Sequence, residues 1–290
     1  MPAKKRAFKK ALVRKKRSVV QTARAKRKHP SNVQVLDKQE IEKTPITKLD
    51  EYIEFIEKYC DVDYTLFRGQ QEDWDLLPKL SRLKVRIGNI TQTEEAMLND
   101  FKRLSKPYLQ RVPVNDWEWL ALAQHHGLAT RLLDWSLNPL AALWFAVSQP
   151  ATKDYGVLWV FFPDKKFFLN AETRDKINPF KEKMTRVFQP EISTIRIQSQ
   201  SGWFTTHPYN GNSSDKPIDQ IATYKDKFIK LKIPKKYFPS LRSQLDRLGI
   251  NRFSLFQDLD GTASYVEWSH SLLFDEIEDT PNFKKRERAF

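Results

Sequence analysis

Apolar and polar positions alternate along this chain in two rhythms. Leu49, Tyr52, Ile53, Ile56 and Tyr59 recur every three or four residues behind Thr47, a good capping residue, and predict an amphipathic helix that opens the folded body. Met97, Phe101 and Leu104 repeat the spacing, with Thr91 or Thr93 as the cap. Residues 117–126 predict a third helix, stopped by Gly127. Asn138-Pro139 is a helix start because Asn caps and Pro is preset for the first turn, and Leu140, Leu143, Trp144 and Val147 form the stripe behind it. Residues 239–248 form another helix ended by Gly249, and a last one runs from near Asp258 toward Leu273.

The second rhythm is that of strands. Residues 62–68 are rich in β-formers and end at Gly69, with Tyr64, Leu66 and Arg68 on one face. Residues 130–136 read as a short strand and residues 157–162 as a continuously apolar one bounded by Gly156 and Pro163. Strand-like pieces fall within 192–206, and residues 228–233 alternate lysine with apolar side chains. Helices and strands follow one another without regular βαβ alternation, so the fold class is α+β.

Charge changes the picture at one end only. The chain has 290 residues and a net charge of +14. Residues 1–29 hold thirteen Lys or Arg and no acid, which leaves the rest one charge from neutrality. Their mutual repulsion and lack of apolar surface predict a disordered basic arm that binds nucleic acid without sequence preference. A mitochondrial transit peptide is also Arg-rich and acid-poor, but this segment is Lys-dominated with a single serine. Residues 30–46 read as a linker, 47–278 as the folded domain and 279–290 as a charged tail. The chain has neither an apolar run of membrane-spanning length nor a secretory signal, so the expected location is the cytoplasm. One cysteine, Cys60, excludes an internal disulfide framework and a Cys-based zinc site.

Candidate chemistry concentrates in residues 117–147, where Gln124, His125, His126, Arg131, Asp134 and Ser136 crowd between two apolar helices. Charges there need partners. Either Arg131 and Asp134 satisfy each other and the helix ends, or the group forms the rim of a pocket. His125 and His126 point about 100° apart on a helix and do not readily share a metal. With no HExxH, no paired CxxC and the other histidines scattered, no metal is expected. Neither GxxxxGK nor GxGxxG occurs, which excludes P-loop and Rossmann functions. Arg68 is an ion-pair partner or a phosphate clamp. His207 is an exposed loop residue or a general base, and Asp258 and Asp260 are helix caps by default. Trp117, Trp135 and Trp144 are core residues or stacking partners for a nucleotide ring.

Four blocks resemble the FRG domain family, named for its Phe/Tyr-Arg-Gly motif: Phe67-Arg68-Gly69, residues 117–147, residues 198–208 (QSQSGWFTTHP) and residues 248–261 (LGINRFSLFQDLDG). More distantly the layout is similar to ADP-ribosyltransferases. That likeness implies a split β-sheet surrounded by helices, with Arg68 on the phosphates of NAD and Ser136 on the strand leading into the apolar helix. Gln198 and Gln200 stand where such a transferase offers glutamate, so Asp258, Asp260 or Glu191 would supply the carboxylate. The resemblance implies a nucleotide-handling effector of bacterial or phage conflict, with NAD as substrate and a macromolecule as acceptor. Its catalytic candidates are Arg68, Ser136, Gln200, His207 and Asp258. The NAD-binding candidates are Arg68, Gln124, His125, Arg131 and Asp134. The alternative is a module that binds a nucleotide or a protein without turnover.

Overall fold

The computed structural model describes residues 35–60, 65–86, 88–191, 199–209 and 216–278. The basic arm, the charged tail, the start of the 62–68 strand with Tyr64, and residues 192–198 with Gln198 lie outside the described residues. In chain order the elements are α1 (Val35–Lys43), α2 (Leu49–Tyr59), β1 (Leu66–Gln70), α3 (Ile90–Ser105), α4 (Asp116–His125), β2 (Leu132–Ser136), α5 (Pro139–Val147) and β3 (Tyr155–Phe161). There follow α6 (Ala171–Lys176), β4 (Arg186–Phe188), β5 (Gly202–Thr206), β6 (Phe228–Pro234), α7 (Phe238–Arg247), α8 (Arg252–Phe256), α9 (Leu259–His270) and α10 (Phe274–Glu278). Among the described residues, no helix is long and apolar enough to cross a membrane.

Local signals place most of these ends. Asn138 accepts the Leu140 and Ala141 amides at 3.0 and 3.2 Å and starts α5 at Pro139. Gly127, at φ +84°, follows α4 in the left-handed conformation that favours glycine. Two caps differ from expectation. α2 starts after Lys48, because the Glu51 carboxylate accepts both the Thr47 and Lys48 amides. α3 is capped by Asn89, which accepts from the Gln92 amide at 2.9 Å, rather than by a threonine. The segment read as a linker carries α1. Glu42 accepts the Lys230 amide and Ile46 donates to the Lys232 carbonyl at 2.9 Å, so this segment closes the outer edge of β6.

The six strands form one antiparallel sheet in the order β4-β5-β2-β1-β3-β6. The architecture is therefore α+β. On one face Phe67, Leu158, Val160, Ile229 and Leu231 pack against α2, α5 and α7. On that same face Leu132, Phe188 and Phe204 pack against α4, whose Trp117 to Ala123 stretch is buried. The other face buries Leu66, Leu133, Trp135, Trp159, Phe161 and Phe228, with Phe161 and Phe228 stacked at 4.3 Å. α4 and α5 therefore stand side by side over the middle of the sheet. Gly69 sets how low α5 sits, since a Cβ there would lie 1.8 Å from the Ala142 carbonyl oxygen.

Candidate functional site

Between the C-terminal end of α4 and α5 the sheet is uncovered, leaving a cleft of about 290 Å³. Its floor is the ends of β1, β2 and β5, and its lining includes Arg68, Gln124, His125, Asp134, Ser136 and Gln200. Phe67, Phe145 and Phe204 supply aromatic wall. The structure thus gathers six of the nine candidate residues.

The pairing of β1 with β2 is confined to Phe67 opposite Ser136. Beyond it, the Arg68 side chain takes the place of a backbone amide: Nη1 donates to the Asp134 carbonyl at 2.8 Å and lies 3.9 Å from the Asp134 carboxylate. Arg68 leans out from the Trp159 side of the sheet, and its buried Nε has no partner among the described residues. Burial weakens its hold on the proton, the Asp134 charge opposes that and Arg82 adds repulsion. A guanidinium stays charged under such pressure.

Asp134 is the only carboxylate lining the cleft among the described residues, and its side chain is 56% exposed. Its Oδ2 accepts Gln124 Nε2 at 3.0 Å, and Gln124 Oε1 accepts the Thr130 hydroxyl at 2.7 Å. That chain fixes which way the Gln124 amide faces. The Ser136 hydroxyl accepts the Asn138 amide at 2.9 Å and lies 2.6 Å from the Gln200 carbonyl, to which it donates. Its one proton is thereby committed. Gln200 Nε2 and the Ser199 hydroxyl both reach the Leu255 carbonyl, tying the cleft's rim to α8. Ser201, at φ +48°, makes the turn that feeds β5.

Arg131, three residues before Asp134 along an extended segment, turns to the opposite side. Its partner is Glu94 of α3, which accepts Nε at 2.8 Å and Nη2 at 2.6 Å, and Nη1 reaches the Pro179 carbonyl at 2.9 Å. Both side chains are fully buried, so Arg131 is committed to this pair and not to Asp134. His207 is buried behind the sheet, 3.2 Å from Thr205 Oγ1, which also accepts Trp135 Nε1. Burial, with Arg68 and Arg131 nearby, pushes its pKa down to about 3, so the ring is neutral. Asp258 caps α9 by accepting the Gly261 amide at 2.6 Å, and Asp260 lies in the first turn of that helix. Glu191 pairs with Arg111 at 2.9 Å. None of these three acids lines the cleft.

Of the candidate stacking residues Trp135 lines the cleft, whereas Phe145 and Phe204 were not among the candidates. Phe145 falls outside the stripe of α5, and an apolar residue off the buried stripe of a strongly apolar helix is the signal that would have found it. Among the described residues, no group of three or more His, Cys, Asp or Glu is placed to hold a metal ion.

No curated protein and no solved structure matches the chain. Residues 63–155, which run from β1 through α5 and supply Arg68, Gln124, His125, Asp134 and Ser136, match the model of the FRG domain family, so this chain carries an FRG domain whose Phe-Arg-Gly motif is Phe67-Arg68-Gly69.

Proposed function

We propose that the cleft binds a nucleotide of the NAD class, with Arg68 on the pyrophosphate and a base or nicotinamide ring against Phe145 and Phe204. The observation that carries this reading is the Arg68 guanidinium held at the cleft floor by the Asp134 carbonyl, between aromatic walls. A planar, permanently charged fork suits a phosphate, and aromatic side chains suit a flat ring. The cleft sits at the small end of the ligand-pocket range of roughly 300–1,000 Å³, a size for half of a dinucleotide rather than the whole. The single-residue pairing of β1 with β2 also agrees with the split sheet of ADP-ribosyltransferases.

Asp134 favours a second step, transfer. As nicotinamide leaves with the electrons of the glycosidic bond, positive charge grows on the ribose, and a fixed carboxylate beside it stabilises that charge. A water or a macromolecular nucleophile then forms the new bond at the same carbon and gives up its proton. In this reading Ser136 and Gln200 shape the rim rather than react. Arg131 and His207 support the sheet, and Asp258 anchors α9. Participation in bacterial or phage conflict follows from the family resemblance. The test is equilibrium dialysis of the full chain with NAD, coupled to mass spectrometry of released nicotinamide. Binding with release supports transfer and binding without release supports a non-catalytic module. Absence of binding at about 1 mM NAD, where binding free energy is only about −4 kcal/mol, overturns both.

A further inference from the structure

A second cavity, about 430 Å³, opens between the C-terminal end of α5 and the helices α8 and α9. Trp144, Ser148, Arg242, Arg252, Ser264 and Trp268 contribute to its walls. Two of these are cations in very different circumstances. Arg242 is buried and fully occupied: it donates to the Val147 carbonyl at 3.0 Å and pairs with Asp275 at 2.9 Å and with Glu276. Arg252 has no ion pair among the described residues, and its buried Nε has no hydrogen-bond partner there.

Arg252 is nonetheless held in place. Its guanidinium lies 4.8 Å over the Phe256 ring. The start of α8 that carries it is fixed by Asn251, which accepts the Ser254 amide at 2.9 Å and donates to Asp246 at 2.8 Å. A partly buried cation that makes no ion pair among the described residues, oriented beside a roomy cavity with two indole rings in its wall, is an arrangement that an anionic ligand completes. Glu267, exposed on the same cavity, repels a polyanion and leaves room for a single negative charge.

We infer that this cavity binds a small monoanionic aromatic carboxylate, with Arg252 holding the carboxylate and Trp144 and Trp268 flanking the ring. The inference is independent of the nucleotide cleft and uses none of its residues.

The experiment titrates benzoate, and separately its neutral isostere benzamide, into the full chain by ligand-observed NMR, and repeats both with Arg252→Gln and with Arg68→Ala. Benzoate is expected to bind the unaltered protein, at least about tenfold more tightly than benzamide, and to lose about tenfold or more with Arg252→Gln, the loss expected for a hydrogen-bonded charge. Arg68→Ala should leave benzoate binding unchanged. Equal binding of benzoate and benzamide overturns the inference, as does no benzoate binding at about 10 mM, well above the millimolar scale of weak ligands. Unchanged benzoate binding by Arg252→Gln does so too. If Arg252→Gln fails to fold, the comparison of benzoate with benzamide on the unaltered protein still decides.

Discussion

Arg68 bonds the main-chain carbonyl of Asp134 at 2.8 Å while standing 3.9 Å from the carboxylate of the same residue. One side chain thus stitches the two strands where their backbone pairing stops. The described residues use only Nη1 of a group that carries five N–H donors, which leaves capacity for a ligand.

Arg68→Ala separates the two jobs. The protein loses one hydrogen bond from a charged donor, which costs about 1.5–3 kcal/mol in urea unfolding. NAD binding should fall by at least about tenfold, the equivalent of 1.4 kcal/mol. Arg131→Ala is the contrast. It strands the buried Glu94 carboxylate and should cost about 3–5 kcal/mol with little direct effect on the ligand. An Arg68 variant as destabilised as the Arg131 variant, with NAD affinity retained by its folded fraction, would assign Arg68 to structure alone.

Gly69→Ala tests why the motif ends in glycine. The added Cβ would fall 1.8 Å from the Ala142 carbonyl oxygen and 2.7 Å from the Ala146 amide nitrogen, both backbone atoms that no rotamer change can move. α5 must lift off β1, at a cost of at least about 1–3 kcal/mol. Because Ala142 and Phe145 on α5 line the cleft, NAD affinity should fall along with the melting temperature. Unchanged thermal unfolding would mean that the close approach of strand and helix is not needed.

These two variants mark what was legible in the sequence. Capping and periodicity placed α4, β2 and α5 within a residue or two, because Gly127, Asn138 and Pro139 act through local geometry. The same strand periodicity set Asp134 and Ser136 on one side, and so in the cleft. It also forbids the Arg131–Asp134 pair, since residues three apart on an extended chain face opposite ways. Glu94, the true partner, lies 37 positions away on a helix whose stripe gave no hint of a buried acid. α1 was illegible for a related reason. Its nine residues have little amphipathic pattern, and its segment is held by contacts of Glu42 and Ile46 with β6, nearly two hundred residues on.

His207 gives the folded state a pH dependence. Its pKa drops from 6.5 to about 3 on burial, so the unfolded chain takes up a proton that the folded ring refuses. The stability this contributes is fully present above pH 6.5 and is lost as pH falls toward 3, by about 1.4 kcal/mol per pH unit. Between pH 7 and pH 5 the loss is about 2 kcal/mol. The measurement is urea unfolding at both pH values for the unaltered protein and for His207→Gln. The variant should be less stable at pH 7 and lose about 2 kcal/mol less on acidification. Equal losses in both would show that His207 titrates near its ordinary value.

Asp134→Asn distinguishes binding from transfer at the cleft. Asparagine has nearly the shape of aspartate, and its side-chain carbonyl can accept the same Gln124 Nε2 proton that Asp134 Oδ2 accepts at 3.0 Å. The Arg68 bond to the main-chain carbonyl is untouched by the exchange. What disappears is the only carboxylate lining the cleft among the described residues. The ground state should tolerate this, and NAD affinity should hold or rise slightly, because a negative charge near the phosphates is gone. If Asp134 stabilises the ribosyl cation as nicotinamide departs, release should fall by about 10²–10³, the range for loss of one preorganised electrostatic group. Single-turnover nicotinamide release, measured beside dialysis on the same preparations, reads both quantities. Release at the unaltered rate by Asp134→Asn would remove Asp134 from the chemistry, whereas intact binding with release lost would place the carboxylate at the reacting bond.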